Sequence, residues 1–210
     1  MESRSEARWR SVGALFFIIG PVQFVAAMIL EEALRPGYSP ISNVISDLGV
    51  GSYSTIFNLS VIMLGLFTMF GIALIHDGFP RNRNSRLGYL TMVIVGFGAI
   101  GVGCFPENTH APHAIAAFIA FFGSGLAMLF YSSSFRGDLD WSRFTIPTAL
   151  GGIITIVSLF LFVSNVLGSG VTGLTERAIV APVLIWAAII GVKFLTRPVP
   201  VSSTDAPNTG

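Results

Sequence analysis

The sequence predicts an all-α fold, a polytopic membrane bundle of six transmembrane helices plus one short interfacial helix. The first reason is composition: 52% of the residues are hydrophobic and only 11% are charged, whereas a soluble domain carries about 25% charged residues. The second is that six apolar runs each approach the length of about 20 residues that a helix needs to cross a bilayer. These runs cover roughly residues 11–30, 55–75, 87–105, 113–134, 144–165 and 178–195. The third is that no charged residue or histidine lies near the middle of any run, which excludes a water-soluble bundle with charged outer faces.

The first apolar run follows three arginines and so has the general order of a secretory signal peptide. Its apolar stretch is too long for one, and no small-residue cleavage site followed by a soluble domain appears. We therefore expect a retained span. The predicted organisation is a cytoplasmic N-terminal segment at 1–10, a six-helix transmembrane domain at 11–197 and a disordered cytoplasmic tail at 198–210, which is rich in polar residues and proline.

The basic residues are distributed unequally between the two sides that six spans define. The side that holds both termini carries Arg4, Arg8, Arg10, Arg81, Arg83, Arg86, Arg136, Arg143, Lys193 and Arg197. The other side carries only Arg35 and Arg177. Because Lys and Arg accumulate in short cytoplasmic loops, we predict a multi-pass protein of the cell membrane with both termini in the cytoplasm. The net charge of +1 gives no reason to expect a nucleic-acid partner.

The connection between the first two runs, PGYSPISNVISDLGVGS at 36–52, predicts a short helix from Pro40 to Leu48. Ser39 can cap it, proline is favoured at the first helical position, and Gly49 can end it. Its apolar residues recur at helical spacing: Ile41, Val44, Ile45 and Leu48. A helix this short cannot span a bilayer, so we expect it to lie at the interface with its apolar face against the bundle.

The polar face of this short helix contains the first candidate site residues. Asn43 and Asp47 are four residues apart and therefore share a side, with Ser46 next to Asp47. The helix dipole disfavours a carboxylate in the last turn. Two interpretations of Asp47 stay open: it is solvated or caps the next turn, or it turns inward to a partner above the bundle.

The second candidate segment is CFPENTHAPH before the fourth run, which contains Glu107, His110 and His113. Such a group could bind zinc or exchange protons, or the histidines could be ordinary polar residues at headgroup level. The segment offers no third ligand with firm spacing, and Cys104 is the only cysteine. We therefore predict neither a metal nor another cofactor.

The third candidate segment, GLTERAIVAPVLIW, leads into the last run with Glu176 and Arg177. Arg177 could pair with Asp47 or Glu107, hold an anionic ligand group, or form a simple surface ion pair. We expect Asp47, His113 and Arg177 to converge beneath the short helix, with Glu107 nearby, because a partly buried arginine needs a counter-charge.

Taken together, these three segments resemble the domain-of-unknown-function 998 family of six-span membrane proteins of bacteria and archaea. The resemblance covers about residues 11–197. The motif residues that correspond are Pro40, Ser46, Asp47, Leu48, Gly49, Phe105, Pro106, His113 and Arg177. The resemblance implies the six-span fold and the membrane location, and it implies no reaction.

The sequence thus predicts a polar, acidic pocket on the extracytoplasmic face, above a bundle embedded in the lipid bilayer. The candidate binding residues are Asn43, Ser46, Asp47, Glu107, His110, His113, Glu176 and Arg177. We expect the protein to bind or handle a lipid or a small amphiphile; the alternative is a membrane-embedded enzyme with Asp47 and His113 as acid–base pair. The lack of charges at the middle of the spans argues against a proton-coupled transporter. The sequence leaves the oligomeric state open.

Overall fold

The structure, a computed structural model, describes residues 4–196 and contains six long helices in that range. The helices are α1 (Arg4–Leu34), α2 (Ser54–Ile75), α3 (Arg83–Cys104), α4 (Ala111–Phe135), α5 (Thr145–Ser164) and α6 (Thr172–Leu195). All six are long and apolar enough to cross a membrane, which confirms the predicted fold class. Arg197 and the tail predicted to be disordered at 198–210 lie outside the described residues.

The six helices form a closed ring. Each helix packs against its neighbour in sequence, and α6 returns to pack against α1. Large apolar side chains remain exposed on all six helices, as expected for surfaces that face lipid rather than water. Small residues allow close approach inside the ring: a Cβ on Gly65 of α2 would lie 2.5 Å from the Gly96 carbonyl oxygen of α3. Close backbone contact of this kind supplies much of the packing between helices in a membrane.

One end of the ring, which we call the basic end, carries the α2–α3 and α4–α5 connections, together with the first turn of α1 and the last turn of α6. Aromatic rings close it. Phe79 lies at the centre, with ring centroids 4.6 Å from Tyr131, 4.8 Å from Trp141 and 5.2 Å from Phe194. The Lys193 ammonium lies 4.5 Å from the Trp141 ring centroid, where a cation interacts favourably with the π face.

The other end, which we call the acidic end, carries the three remaining connections, at residues 35–53, 105–110 and 165–171. Residues 35–53 lie across the end of the ring, and we call them the lid. The lid packs its apolar side chains into the bundle: Ile45 and Leu48 are buried in one cluster with Phe24, Phe57 and Val61. This burial anchors the lid to α1 and α2.

The helix predicted from Pro40 to Leu48 is shorter and begins later than expected. The lid contains a 3₁₀ helix, Ile45–Gly49, preceded by Val44 in an extended conformation. Only one helical turn forms earlier, where the Asn43 amide donates to the Ser39 carbonyl over 2.8 Å. Ile41, expected on the buried face, is 56% exposed, and its carbonyl accepts from the Leu174 amide of α6. The backbone of residues 40–44 thus bonds partly to α6 instead of continuing a helix.

Candidate functional site

The Glu176 carboxylate holds the N-terminal end of the lid's 3₁₀ helix. Glu176 belongs to the first turns of α6 and is almost completely buried. One carboxylate oxygen accepts from the backbone amides of Ile45 and Ser46, and the other accepts from the Ser46 hydroxyl over 2.7 Å. Amide N–H groups at the start of a helix lack partners within the helix. Glu176 therefore acts as their cap, although it lies 130 residues away in the sequence.

Arg35 holds the opposite end of the same 3₁₀ helix. Its guanidinium donates to the carbonyl oxygens of Asp47, at 2.6 Å, and of Val50. A cation at the C-terminal end of a helix is favoured by the helix dipole. Arg35 also lies 3.6 Å from the carboxylate of Glu31, which is fully buried at the end of α1. The 3₁₀ helix is therefore held at both ends by charged side chains.

Arg177 ties the middle of the lid to α1. Its guanidinium forms an ion pair with Glu32 at 2.5 Å and donates to the Tyr38 hydroxyl at 3.0 Å and to the Asn43 carbonyl at 3.2 Å. The Tyr38 hydroxyl in turn donates to the Val44 carbonyl at 2.8 Å, and burial raises the pKa of this hydroxyl, so it remains a donor. Of the alternatives left open for Arg177, the structure shows an ion pair, and its partner is Glu32 rather than Asp47 or Glu107.

Asp47 and Glu107 form a carboxyl pair between the lid and the α3–α4 connection. The Asp47 side chain accepts from the Asn43 amide at 3.3 Å, and the Asp47 charge acts on the Glu107 carboxyl. Burial, the Asp47 charge and the more distant Glu176 charge raise the pKa of Glu107 to about 7. A nearby carboxylate disfavours ionisation of a second carboxyl group, because the two like charges repel each other. Asp47 bonds to Asn43 and lines an open depression over the lid, and it is not among the residues that line the chamber inside the ring.

His113 lies at the start of α4 with its ring orientation fixed. Its Nδ1 lies 2.8 Å from the Phe105 carbonyl oxygen. Because a carbonyl can only accept, Nδ1 must carry a proton, and Nε2 of the neutral ring is left as an acceptor. The ring is only 8% exposed. His110 precedes it at a positive φ of 59° and is exposed at the rim.

A cavity of about 90 Å³ lies inside the ring beneath the lid. Its walls are mainly apolar and come from every helix except α5, with Phe17, Phe24 and Met92 among them. Ile45 and Ser46 of the lid and Glu176 close its upper end. The interior of the bundle is therefore an apolar chamber whose roof is polar.

A groove of about 500 Å³ opens beside this chamber, between α4 and α5. Its polar part is formed by Ser46, Glu107, His110, His113 and Glu176. Its apolar part is formed by Ala114, Ala117, Phe118, Phe121, Leu159, Phe162 and Val163. Four residues line both spaces: Ser46, Ala117, Phe121 and Glu176. The groove and the chamber are thus separated by single side chains, and the groove opens toward the exposed faces of Phe118 and Val163.

Five of the eight candidate binding residues therefore line the groove, namely Ser46, Glu107, His110, His113 and Glu176. Asn43 and Asp47 line a separate open depression over the lid. The expected convergence of Asp47, His113 and Arg177 is not supported by their contacts within residues 4–196: Asp47 bonds to Asn43, His113 to Phe105, and Arg177 to Glu32. No group of three or more His, Cys, Asp or Glu side chains that could hold a metal ion occurs in the described part of the chain.

Four residues that hold the lid were not predicted: Glu31, Glu32, Arg35 and Tyr38. Glu31 and Arg35 hold the lid, and one signal could have revealed Glu31: it follows Phe17 and Phe24 at intervals of seven residues, and all three are buried. A period of seven places residues on the same side of a helix. The role of Arg35 had no comparable signal, because it bonds to backbone carbonyls.

Comparison with known proteins agrees with this architecture. No curated protein and no solved structure is significantly similar to the chain. A family model described as "Protein of unknown function (DUF998)" matches residues 18–193, a range that includes the lid, the carboxyl pair, the groove and almost all of the six spans. The chain therefore belongs to the DUF998 family, and it is a multi-span membrane protein of that family.

Proposed function

We propose that this protein binds a single-chain amphiphile or lipid that enters sideways from the outer leaflet. The polar head rests among Ser46, Glu107, His113 and Glu176, and the apolar chain lies along the groove toward the chamber. The observation that carries the proposal is that the groove and the chamber are adjacent, since they share four lining residues. Binding pockets for small molecules are typically apolar with a few convergent polar groups.

The lateral position of the groove supports entry from lipid rather than from water. Its walls on α4 and α5 include Phe118, Phe162 and Val163, and Phe118 and Val163 are among the exposed hydrophobic residues of the spans. Above it, the 3₁₀ helix of the lid is held by charged contacts at both ends. A ligand that enters between α4 and α5 would leave these contacts in place.

The test is to place a larger side chain where the groove meets the chamber. Ala117 lines both spaces, so Ala117→Phe fills the boundary between them, while Ala26→Phe adds the same ring to an exposed position on α1. A photoactivatable tetradecyl alcohol is incorporated into membranes containing each protein. We expect crosslinking to α4 and α5 in the parent and in Ala26→Phe, and its loss in Ala117→Phe. Equal labelling of all three proteins would contradict the proposal.

We further propose that the acidic end faces the cell exterior and that the chain ends are cytoplasmic. The support is that eight of the ten basic residues counted on the terminal side lie within residues 5–196, on the described turns of the basic end. Single cysteines are introduced at Thr109 and at Leu139, which is 100% exposed, after Cys104→Ser removes the exposed native thiol. An impermeant maleimide should label Thr109→Cys in intact cells and Leu139→Cys only after lysis. The reverse pattern would invert the orientation.

A second candidate function is catalysis at the same site, and the carboxyl pair is the observation that favours it. A carboxyl group with a pKa of about 7, as at Glu107, is suited to general acid catalysis, and the free Nε2 of His113 is suited to general base catalysis. Lipid analysis of cells that lack the protein, complemented with the parent or with Glu107→Gln, separates the two functions. An enzyme predicts accumulation of one lipid in both the deletion and the variant, whereas a binding protein predicts no chemical conversion.

A further inference from the structure

We propose that the head of the amphiphile is a hydrogen-bond donor with a positive charge, an amine, rather than a carboxylate or phosphate. This inference rests on the proposed function and concerns the chemistry that the polar part of the groove selects. The inference follows from the polar atoms of the groove that the protein's own hydrogen bonds leave free to bond to a ligand.

The free polar atoms in the groove are predominantly acceptors. The Ser46 hydroxyl has given its proton to Glu176, so only its lone pairs remain available. The Nδ1 proton of His113 is used by the Phe105 carbonyl, and Nε2 has no hydrogen bond within the described residues. Glu107 and Glu176 contribute carboxyl oxygens. A head group that brings donors satisfies these atoms, whereas one that brings only acceptors leaves them unpaired at a cost.

The nearest cations do not compensate these acceptors. Arg177 is engaged by Glu32, Tyr38 and two backbone carbonyls on the far side of the lid. Arg35 is engaged by lid carbonyls and Glu31. Neither arginine is among the residues that line the groove or the chamber. Since neither arginine lines the groove, an anionic head would lie beside carboxyl groups without forming a direct ion pair, which costs affinity.

The polar part of the groove is more than a cluster of acidic residues, because it also contains His113. Its ring is more than nine-tenths buried, lines the groove, and holds an acceptor nitrogen without a partner. This nitrogen is accessible from the groove, where a ligand can reach it. A hydrogen-bond donor on the ligand supplies this missing partner, and the apolar walls of the groove contact the chain of the ligand.

The dimensions favour a single chain. The chamber holds about 90 Å³, less than the roughly 150 Å³ of an engineered cavity that accommodates one benzene molecule. It can receive the end of one alkyl chain whose remainder lies in the groove. Two parallel chains exceed this space.

The experiment compares three radiolabelled probes with the same chain: tetradecylamine, tetradecanol and myristate. Each is equilibrated at pH 7.5 with the full protein in phosphatidylcholine nanodiscs, and binding to empty nanodiscs is subtracted to remove partition into lipid. We expect the amine to bind at least about tenfold more tightly than myristate, with the alcohol between them. In Glu107→Gln, which retains the shape of the side chain, the ratio of amine to alcohol affinity should fall by about fivefold.

The outcomes separate this inference from the proposed function. If all three probes are blocked by Ala117→Phe but myristate binds as tightly as the amine, the groove is a binding site and the amine assignment is overturned. If no probe depends on Ala117, the proposed function fails together with the inference. The comparison of probes on the parent protein decides the assignment even where Glu107→Gln does not fold.

Discussion

The two ends of the ring are closed in opposite ways. At the basic end, five aromatic side chains pack with Phe79 at the centre and ring centroids as close as 4.6 Å. At the acidic end, a lid of irregular backbone is held by charged groups, with Glu176 at one end of its 3₁₀ helix and Arg35 at the other. The first closure depends on shape and the second on hydrogen bonds.

This difference bears on where function can reside. The interlocked rings of the basic end stabilise one arrangement through ring contacts. The lid instead buries carboxylates and exposes the acceptors of Ser46 and His113 to the groove. Burying charged groups is costly unless they satisfy one another, so an apolar lid would serve better if closure were its only purpose. We infer that the polar construction of the acidic end is retained for ligand recognition.

The largest effect is expected when the aromatic closure is broken. Phe79→Ala removes the ring that contacts Tyr131, Trp141 and Phe194, and a buried Phe→Ala change costs about 3–5 kcal/mol. Thermal unfolding of the purified protein, followed by exposure of its buried tryptophans, should occur at a clearly lower temperature. Probe binding at the acidic end should persist at temperatures below unfolding.

Phe160→Ala is the matched control, because Phe160 is 70% exposed on α5 and faces lipid. Its unfolding temperature should stay close to that of the parent. A loss of probe binding in folded Phe79→Ala would show that the two ends are coupled and would undo the contrast between them.

The second effect is expected at the charged anchor of the lid. Glu176→Ala leaves the Ile45 and Ser46 amides and the Ser46 hydroxyl without their acceptor, which should cost about 2–3 kcal/mol. Glu176→Gln keeps one acceptor oxygen and should cost less. Limited proteolysis within residues 35–53 measures how far the lid is loosened. We expect cleavage to be fastest in Glu176→Ala, slower in Glu176→Gln and slowest in the parent protein. Equal resistance of all three proteins would show that Glu176 does not hold the lid.

The same contrast explains what the sequence could predict. The spans follow from long apolar runs without central charges, and the inward position of Glu31 follows from its spacing to Phe17 and Phe24. These properties are local or periodic, so one sequence contains them. The basic end could be placed for the same reason, because its arginines flank the spans.

The lid could be predicted only in part. The apolar residues Ile45 and Leu48 are buried as expected, but the backbone before them bonds to residues more than 100 positions away, as when the Ile41 carbonyl accepts from Leu174. Helical spacing contains no information about such partners. The pairing of Asp47 with Glu107, and of Arg177 with Glu32, likewise depends on how the connections meet in space.

A third and smaller effect is expected where the lid touches α6. A Cβ on Gly173 would overlap the Asn43 carbonyl oxygen, so Gly173→Ala should push the lid outward at a cost of about 1–3 kcal/mol. Gly170→Ala is the matched control, since nothing lies within 4 Å of a Cβ there. We expect faster amide hydrogen exchange in residues 39–49 of Gly173→Ala alone. Identical exchange in the two variants would mean that the lid is not in close contact with α6.

The smallest effect is expected from the carboxyl pair, and it depends on pH. The pKa of Glu107 rises from its ordinary 4.5 to about 7 in the closed lid, because of burial and of the neighbouring Asp47 carboxylate. A carboxyl whose pKa is raised by folding favours the closed state fully below pH 4.5, and this contribution is lost as the pH rises to about 7. Lid protection from proteolysis should therefore decline between these pH values and level off above them.

Asp47, Glu176, His110 and His113 also face this region, so the contribution of Glu107 is the difference between the parent and Glu107→Gln. We expect the variant to lose most of the decline; a decline of the same size in both proteins would assign the pH dependence to the other groups and leave Glu107 without a part in closing the acidic end.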